Sequence, residues 1–166
     1  QEVPTAADLY QMGTVSQIKQ IVKMPNGILR VMVEGLERAA LLTLFEDGQY
    51  LEAEIEDAPM QEEQLSDTVK EAMSRIVKEK LEEFGNANPK AVKDFIGSLL
   101  VITDLEPLLT QTANEFPWDF AVKQELLECD YVSHLYGRVV DYLRRGIEVR
   151  MIERDVQGEV EGNIEK

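Results

Sequence analysis

The 166-residue chain has one cysteine and one histidine, and each scarcity excludes a class of site. A lone Cys129 cannot form an intramolecular disulfide, and no N-x-[ST] glycosylation acceptor occurs, so a half-buried thiol and a reducing, cytoplasmic location are expected. A lone His134 excludes H-E-x-x-H and any site with two histidines, and one cysteine excludes thiolate zinc clusters. We therefore predict no metal site.

Basic residues are also scarce. The 17 Lys and Arg stand against 32 Asp and Glu, which gives a net charge of −15. This excess of negative charge repels phosphate backbones and anionic lipid surfaces. No apolar run approaches the ~20 residues of a membrane span. We therefore expect neither nucleic acid nor a membrane as a partner.

Motifs of nucleotide binding and hydrolysis are missing. None of the ten glycines precedes a lysine, so no G-x-x-x-x-G-K-[ST] phosphate loop exists, and no G-x-G-x-x-G fingerprint occurs. No G-x-S-x-G nucleophile elbow occurs either. We predict no catalytic residue and no cofactor for this chain. A small hydrolase that works through His134 with distant Asp or Glu partners stays open as an alternative.

Through about Ala58, apolar residues recur at every second position, a pattern that predicts strands. The predicted strands are residues 14–23, 28–34, 41–45 and 50–56. Met24-Pro25-Asn26-Gly27 separates the first two and predicts a tight turn in which Gly27 is left-handed. Glu46-Asp47-Gly48-Gln49 separates the last two. The pattern therefore predicts two hairpins.

From Pro59 the apolar spacing changes to three and four residues, which predicts helices. The predicted helices are residues 65–85, 89–100, 104–116, 118–128 and 130 onward. Asn88 is expected to cap the second helix with Pro89 at its first position. Trp118 and Phe120 are expected in the core. Beyond Gly146 a thin apolar stripe is expected to fray or to lie on another chain.

These patterns predict an α+β fold. Residues 1–58 form a β-rich sub-domain, and residues 59–166 form an α-helical bundle that ends in a long helix.

Met32 departs from the expected alternation of its strand. Leu29, Val31 and Val33 form one face of residues 28–34, so Met32 lies outward on the polar face. A flexible thioether on a polar face is typical of surfaces that bind varied apolar segments, although other elements could equally cover it.

Three more side chains resemble Met32 in kind. Met24 lies at the hairpin tip, and Tyr10 and Met12 lie beside the first strand. Together with Met32 they are the candidate substrate-binding residues, which could form one exposed apolar patch.

Several strings are similar to the N-terminal domain of Lon, the ATP-dependent protease. They are residues 8–15 (DLYQMGTV), 18–20 (IKQ), 23–27 (KMPNG), 30–39 (RVMVEGLERA) and 123–128 (KQELLE), the last followed by a helix with Arg138. The resemblance covers nearly the whole chain.

The resemblance implies a PUA-like β sub-domain followed by a helical bundle. It also implies a non-catalytic domain that recognises unfolded or damaged proteins and helps the parent protein to assemble into a hexamer. The AAA+ ATPase, with its ATP and Mg²⁺, and the Ser-Lys peptidase are expected outside this chain.

Two departures from the family qualify this expectation. Family members begin with further residues that build the first strands, and nothing here matches them, so we expect an exposed sheet or one completed by another chain. The family's last helix is rich in Lys and Arg, whereas residues 153–166 carry glycines and acids. A stand-alone Lon-like adaptor or scaffold without a protease is the alternative function.

Overall fold

The computed structural model describes residues 4–88 and 90–164. The chain divides into two compact units, residues 1–60 and 61–166, here named the β unit and the α unit. All strands lie in the first and all α-helices in the second, so the predicted α+β class is confirmed. No helix in these described ranges combines the length and apolar character that crossing a bilayer requires.

The β unit is an antiparallel three-stranded sheet with strand order β1-β2-β3. Its strands are β1 (Met12–Lys23), β2 (Leu29–Phe45) and β3 (Glu52–Asp57), after a short 3-10 helix at Ala6–Asp8. The N–H of Met24 donates to the carbonyl of Ile28 at 2.8 Å, and Gly27 has a φ of +80°. The predicted turn is confirmed because only glycine adopts this φ without strain.

The prediction of four strands is wrong, because residues 28–34 and 41–45 belong to one strand, β2, of 17 residues. Gly35 continues β2 and pairs with Ser16, and a Cβ there would lie 3.1 Å from the Thr14 methyl carbon. The pairing shifts register next to Leu36 and Leu42, which have no partner residue in the register. β-Bulges absorb these extra residues without ending the strand.

The α unit contains five helices. They are α1 (Asp67–Ala87), α2 (Lys90–Leu100), α3 (Leu105–Glu115), α4 (Phe120–Leu127) and α5 (Val132–Ile164). Ser66 caps α1, with its side chain accepting from the N–H of Val69 at 3.3 Å. Asp119 caps α4 in the same way through the N–H of Val122 at 3.0 Å.

The predicted end of α1 at Gly85 is wrong, since the helix continues to Ala87. Gly85 is buried, and a Cβ there would lie 3.2 Å from Cδ1 of Ile96 in α2. The glycine therefore permits close helix packing and does not end α1.

Asn88 ends α1 and links it to α5. Its Nδ2 donates to the carbonyl of Phe84 at 2.8 Å, and its Oδ1 accepts from Nε of Arg150 at 2.7 Å. Both polar atoms of this buried amide therefore have partners, one in α1 and one in α5. The predicted start of α2, with Asn88 as its cap and Pro89 at its first position, lies outside the described residues.

An aromatic cluster forms part of the α-unit core. Phe116 is 1% exposed, and its ring centroid lies 5.0 Å from Phe84, 5.3 Å from Phe95 and 4.8 Å from Trp118. Trp118 is half-buried, as an anchor of this cluster. Phe120 is 76% exposed, so its predicted place in the core is wrong.

α5 continues through Gly146, where a Cβ would lie 3.0 Å from Cε2 of Phe84. Leu135, Val139 and Leu143 place the first half of α5 in the core. Side chains 151–160 are all exposed, although this stretch is helical.

Candidate functional site

The lone histidine has no catalytic arrangement around it. His134 is exposed, and its ring meets the edge of Tyr131 at a centroid distance of 5.2 Å. The neighbouring carboxylate of Glu63 accepts from both the N–H of Ser133, at 3.0 Å, and the Ser133 hydroxyl. These hydrogen bonds lower the pKa of Glu63. Glu63 therefore caps the start of α5, and a serine hydroxyl donating to it is not placed as a nucleophile activated by His134.

Cys129 is a half-buried thiol at the end of α4. Its Sγ donates to the carbonyl of Glu125 at 3.6 Å. Across residues 4–88 and 90–164, no group of three or more His, Cys, Asp or Glu side chains could hold a metal ion.

Glu125 lies at the junction of α4 and α5. Its Oε1 pairs with Nη1 of Arg138 at 2.8 Å, and its Oε2 accepts from the hydroxyl of Tyr142. This hydrogen bond, followed by burial, raises the pKa of Tyr142. Trp118 packs on the Tyr142 ring at a centroid distance of 5.8 Å. The two side-chain oxygens of Glu125 therefore link α4 to α5.

Met32, the first candidate binding residue, is 60% exposed near the start of β2. It pairs with Gln20 of β1, between the pairs made by Arg30 and Glu34 on the same face. The structure therefore places its thioether outward among polar neighbours, as the alternation predicts.

The other three candidates lie towards opposite ends of β1. Tyr10 is 53% exposed and lies just before the strand, and Met12 is half-buried with its Sδ accepting from Nε of Arg38 at 3.3 Å. Met24 is half-buried in the turn beyond the other end. β1 has 12 residues, and a rise of ~3.3 Å per residue places Met12 and Met24 roughly 40 Å apart. The candidates do not form one compact patch.

A second apolar surface lies on the opposite face of the β1–β2 hairpin. We name it the aliphatic face and define it as Ile18, Ile21, Leu29, Val31 and Val33. Ile18 pairs with Val33, and Ile21 pairs with Val31. These side chains are between 45% and 60% exposed. Contiguous exposed aliphatic side chains of this kind mark interaction surfaces.

Sequence reasoning treated Leu29, Val31 and Val33 only as the face opposite Met32. The pattern did contain a signal for the larger surface, because the hairpin turn at Gly27 brings Ile18 and Ile21 of β1 beside them. Strand alternation does not tell which face is covered, so it could not show that this face is exposed.

Comparisons with known proteins agree on one family. The family model of the ATP-dependent protease La (LON) substrate-binding domain matches residues 1–145. The chain is 34% identical to the Lon protease of Lachnoclostridium phytofermentans over 165 residues, which is 99% of this chain and 20% of that protein. It is 30% identical to the Lon protease of Azospirillum brasilense over 100% of this chain and 20% of that protein. The chain thus spans about a fifth of the length of these relatives.

Two solved structures share the fold. The N-terminal domain of the Mycobacterium avium complex Lon protease has a TM-score of 0.64 at 22% identity, over 85% of this chain and 74% of that chain. A Lon N-terminal domain protein from Xanthomonas campestris has a TM-score of 0.53 at 12% identity, over 84% of this chain and 72% of that chain.

Proposed function

Because the chain belongs to the Lon substrate-binding domain family, we propose that it captures unfolded or damaged protein clients for an ATP-dependent Lon-type serine protease. The chain itself takes no part in ATP hydrolysis or peptide cleavage. ATP, Mg²⁺ and the Ser-Lys dyad belong to other parts of the parent protein. Its location is the cytoplasm.

The exposed aliphatic face supports this proposal. A folded client buries its aliphatic side chains, whereas an unfolded one offers them to a surface such as Ile21, Val31 and Val33. Each half-exposed side chain of the face would contribute roughly 1 kcal/mol on full burial. Since association itself is costly, affinity for one domain is weak.

Met32, Met24, Tyr10 and Met12 extend the contacts beyond this face. Their flexible or amphipathic side chains adapt to clients of varied sequence. The net charge of −15 favours clients that are neutral or basic.

Assembly of the parent protein makes weak capture effective. We propose that this chain contributes to self-association toward a hexamer, in which tethered copies raise the local concentration of binding surfaces. The gene should then encode a Walker A motif beyond Lys166. A stop codon at that point would support the adaptor or scaffold instead.

A pair of matched double variants tests client capture. Val31 and Val33 on the aliphatic face are 45% and 55% exposed, and Val156 and Val160 on α5 are 54% and 53% exposed. We expect the Val31→Ser/Val33→Ser variant to bind a permanently unfolded, apolar test protein several-fold more weakly than wild type. The Val156→Ser/Val160→Ser variant should bind it normally.

Two outcomes would contradict the proposal. If both double variants bind the unfolded test protein equally well, the aliphatic face is not part of the binding site. If the chain binds native and unfolded test protein equally well, it does not recognise unfolded clients. Met32→Ser, measured in the same assay, tests the contribution of the opposite face.

A further inference from the structure

The hairpin tip, defined as residues 23–30 between and beside the ends of β1 and β2, is a basic projection on an acidic protein. Residues 9–33 contain no Asp or Glu but include Lys19, Lys23 and Arg30. Lys19 has an ion-pair partner on β2, whereas Lys23 and Arg30 form no ion pair in the described part of the β unit. The tip therefore carries two positive charges that no neighbouring carboxylate neutralises.

Local hydrogen bonds hold the backbone of this tip. The N–H of Gly27 donates to the carbonyl of Met24 at 3.0 Å, and the N–H of Ile28 donates to Oδ1 of Asn26 at 3.2 Å. Ile28 is 60% exposed, so an aliphatic side chain lies at the end of the projection. A tip fixed in this way loses little conformational freedom when it binds a partner.

A hollow of complementary character lies at the turn between β2 and β3. Its volume is about 400 Å³, which is within the range of binding pockets. It is lined by Phe45, Asp47, Gly48, Gln49, Tyr50 and Glu52. The rings of Phe45 and Tyr50 are 49% and 71% exposed. The hollow therefore offers aromatic surface next to two carboxylates.

The strand beside the hollow adds further negative charge. Residues 46–57 contain six Asp and Glu and no Lys or Arg. Glu52 and Glu54 lie on one face of β3 with their Cα atoms roughly 7 Å apart, and neither forms an ion pair with any residue described for the sheet. Like charges placed in this way repel each other, and a cation bound between them relieves the repulsion.

The tip and the hollow lie at opposite ends of β2. This strand begins in the tip and ends at the hollow, and its 17 residues span roughly 50 Å at a rise of ~3.3 Å per residue. The two surfaces cannot meet within one molecule, so a contact between them joins two copies of the chain.

We propose that the hairpin tip of one copy inserts into the hollow of a second copy. Ile28 then contacts the two aromatic rings, and Lys23 and Arg30 lie beside the carboxylates of β3. This inference rests on the proposed self-association and specifies its interface. Because each copy offers one tip and one hollow, the contact is head-to-tail, and such contacts form a ring when the rotation between copies closes.

Charge reversal on each surface tests this contact. The tip variant is Lys23→Glu/Arg30→Glu, and the hollow variant is Glu52→Lys/Glu54→Lys. In either variant alone the tip and the strand beside the hollow carry charge of the same sign. We therefore expect self-association of the 166-residue chain, measured by sedimentation velocity, to be at least about tenfold weaker than in wild type. An equimolar mixture of the two variants should associate again, since each tip then meets charge of the opposite sign.

The matched control reverses two exposed charges on the α unit. Lys70→Glu/Arg154→Glu changes the net charge as much as the tip variant does and should associate like wild type. Raising the sodium chloride concentration from about 0.05 M to about 0.5 M should weaken association of wild type, because salt screens exposed charges. Circular dichroism checks that every variant is folded.

The outcomes separate this contact from the proposed function. If wild type associates but the mixture of variants does not, or if the control loses as much association as the tip variant, the contact is wrong and another surface joins the copies. If wild type stays monomeric up to about 1 mM, self-association through this chain fails together with the contact. Binding of the unfolded test protein, measured separately, decides client capture in either case.

Discussion

Replacing Phe116 by alanine removes the centre of the aromatic cluster in the α unit. Phe116 is 1% exposed, and its ring lies between those of Phe84, Phe95 and Trp118 at centroid distances of 4.8–5.3 Å. The surrounding rings belong to α1, α2 and the segment after α3, so the substitution leaves a cavity between these elements.

The expected loss follows from cavity formation. A buried Phe→Ala substitution lowers the free energy of unfolding by about 3–5 kcal/mol. For a unit of this size the melting temperature should fall by roughly 10–20 °C. Phe120, with 76% exposure, is the matched control, and Phe120→Ala should change the free energy of unfolding by only about 0.5 kcal/mol.

Urea unfolding followed by near-ultraviolet circular dichroism measures both variants, since this signal reports packing of the aromatic cluster. Phe116→Ala should shift the transition midpoint strongly and Phe120→Ala hardly at all. Similar shifts for the two variants would show that the cluster does not stabilise the α unit and would refute the reasoning. Binding of the unfolded test protein should persist in Phe116→Ala at temperatures where the variant is folded.

Two further predictions concern a turn and a helix cap. Gly27→Ala should destabilise the β1–β2 hairpin by about 1 kcal/mol because Gly27 has a φ of +80°, and the cost is conformational since an added Cβ meets nothing within 4 Å. Hydrogen exchange of the β1 amides measures this loss, with Gly13→Ala as the control. Equal exchange rates in the two variants would contradict the prediction. Folding lowers the pKa of Glu63, so ionised Glu63 stabilises the α unit at pH values above 4.5, the ordinary pKa of this side chain. This stabilisation is lost as the pH falls through the folded-state pKa. The melting temperatures of wild type and Glu63→Gln should therefore differ most at about pH 6 and become similar at about pH 3. A difference that stays constant over this range would rule out the Glu63 carboxylate as the titrating group.

Local chemistry made much of the fold predictable. The turn at Gly27 was predictable because Pro25 fixes its own φ, Asn26 favours turns and Gly27 adopts a positive φ without strain. The spacing of Leu135, Val139 and Leu143 likewise identified the buried side of α5. These features depend on neighbours within a few positions, which the sequence shows directly.

The failures involve partners that are distant in the chain. The side-chain oxygen of Asn88 accepts from Arg150, 62 residues away, a contact that no local pattern predicts. Gly85 looks like a helix end, whereas the approach of Ile96 requires it to be small. The aliphatic face was missed for the same reason, since burial depends on what packs above a strand and alternation reports only which side chains share a face.

The β unit has a very small buried core, so its stability depends on whether a ligand is bound. Among residues 4–60 only Ala39 is fully buried, so the hydrophobic gain from folding the sheet alone is small. A ligand that binds only the folded sheet stabilises it in proportion to the logarithm of ligand concentration. The melting temperature of the sheet should therefore rise as clients are added and so report how much of the binding surface is occupied. The melting temperature of the helices should stay unchanged.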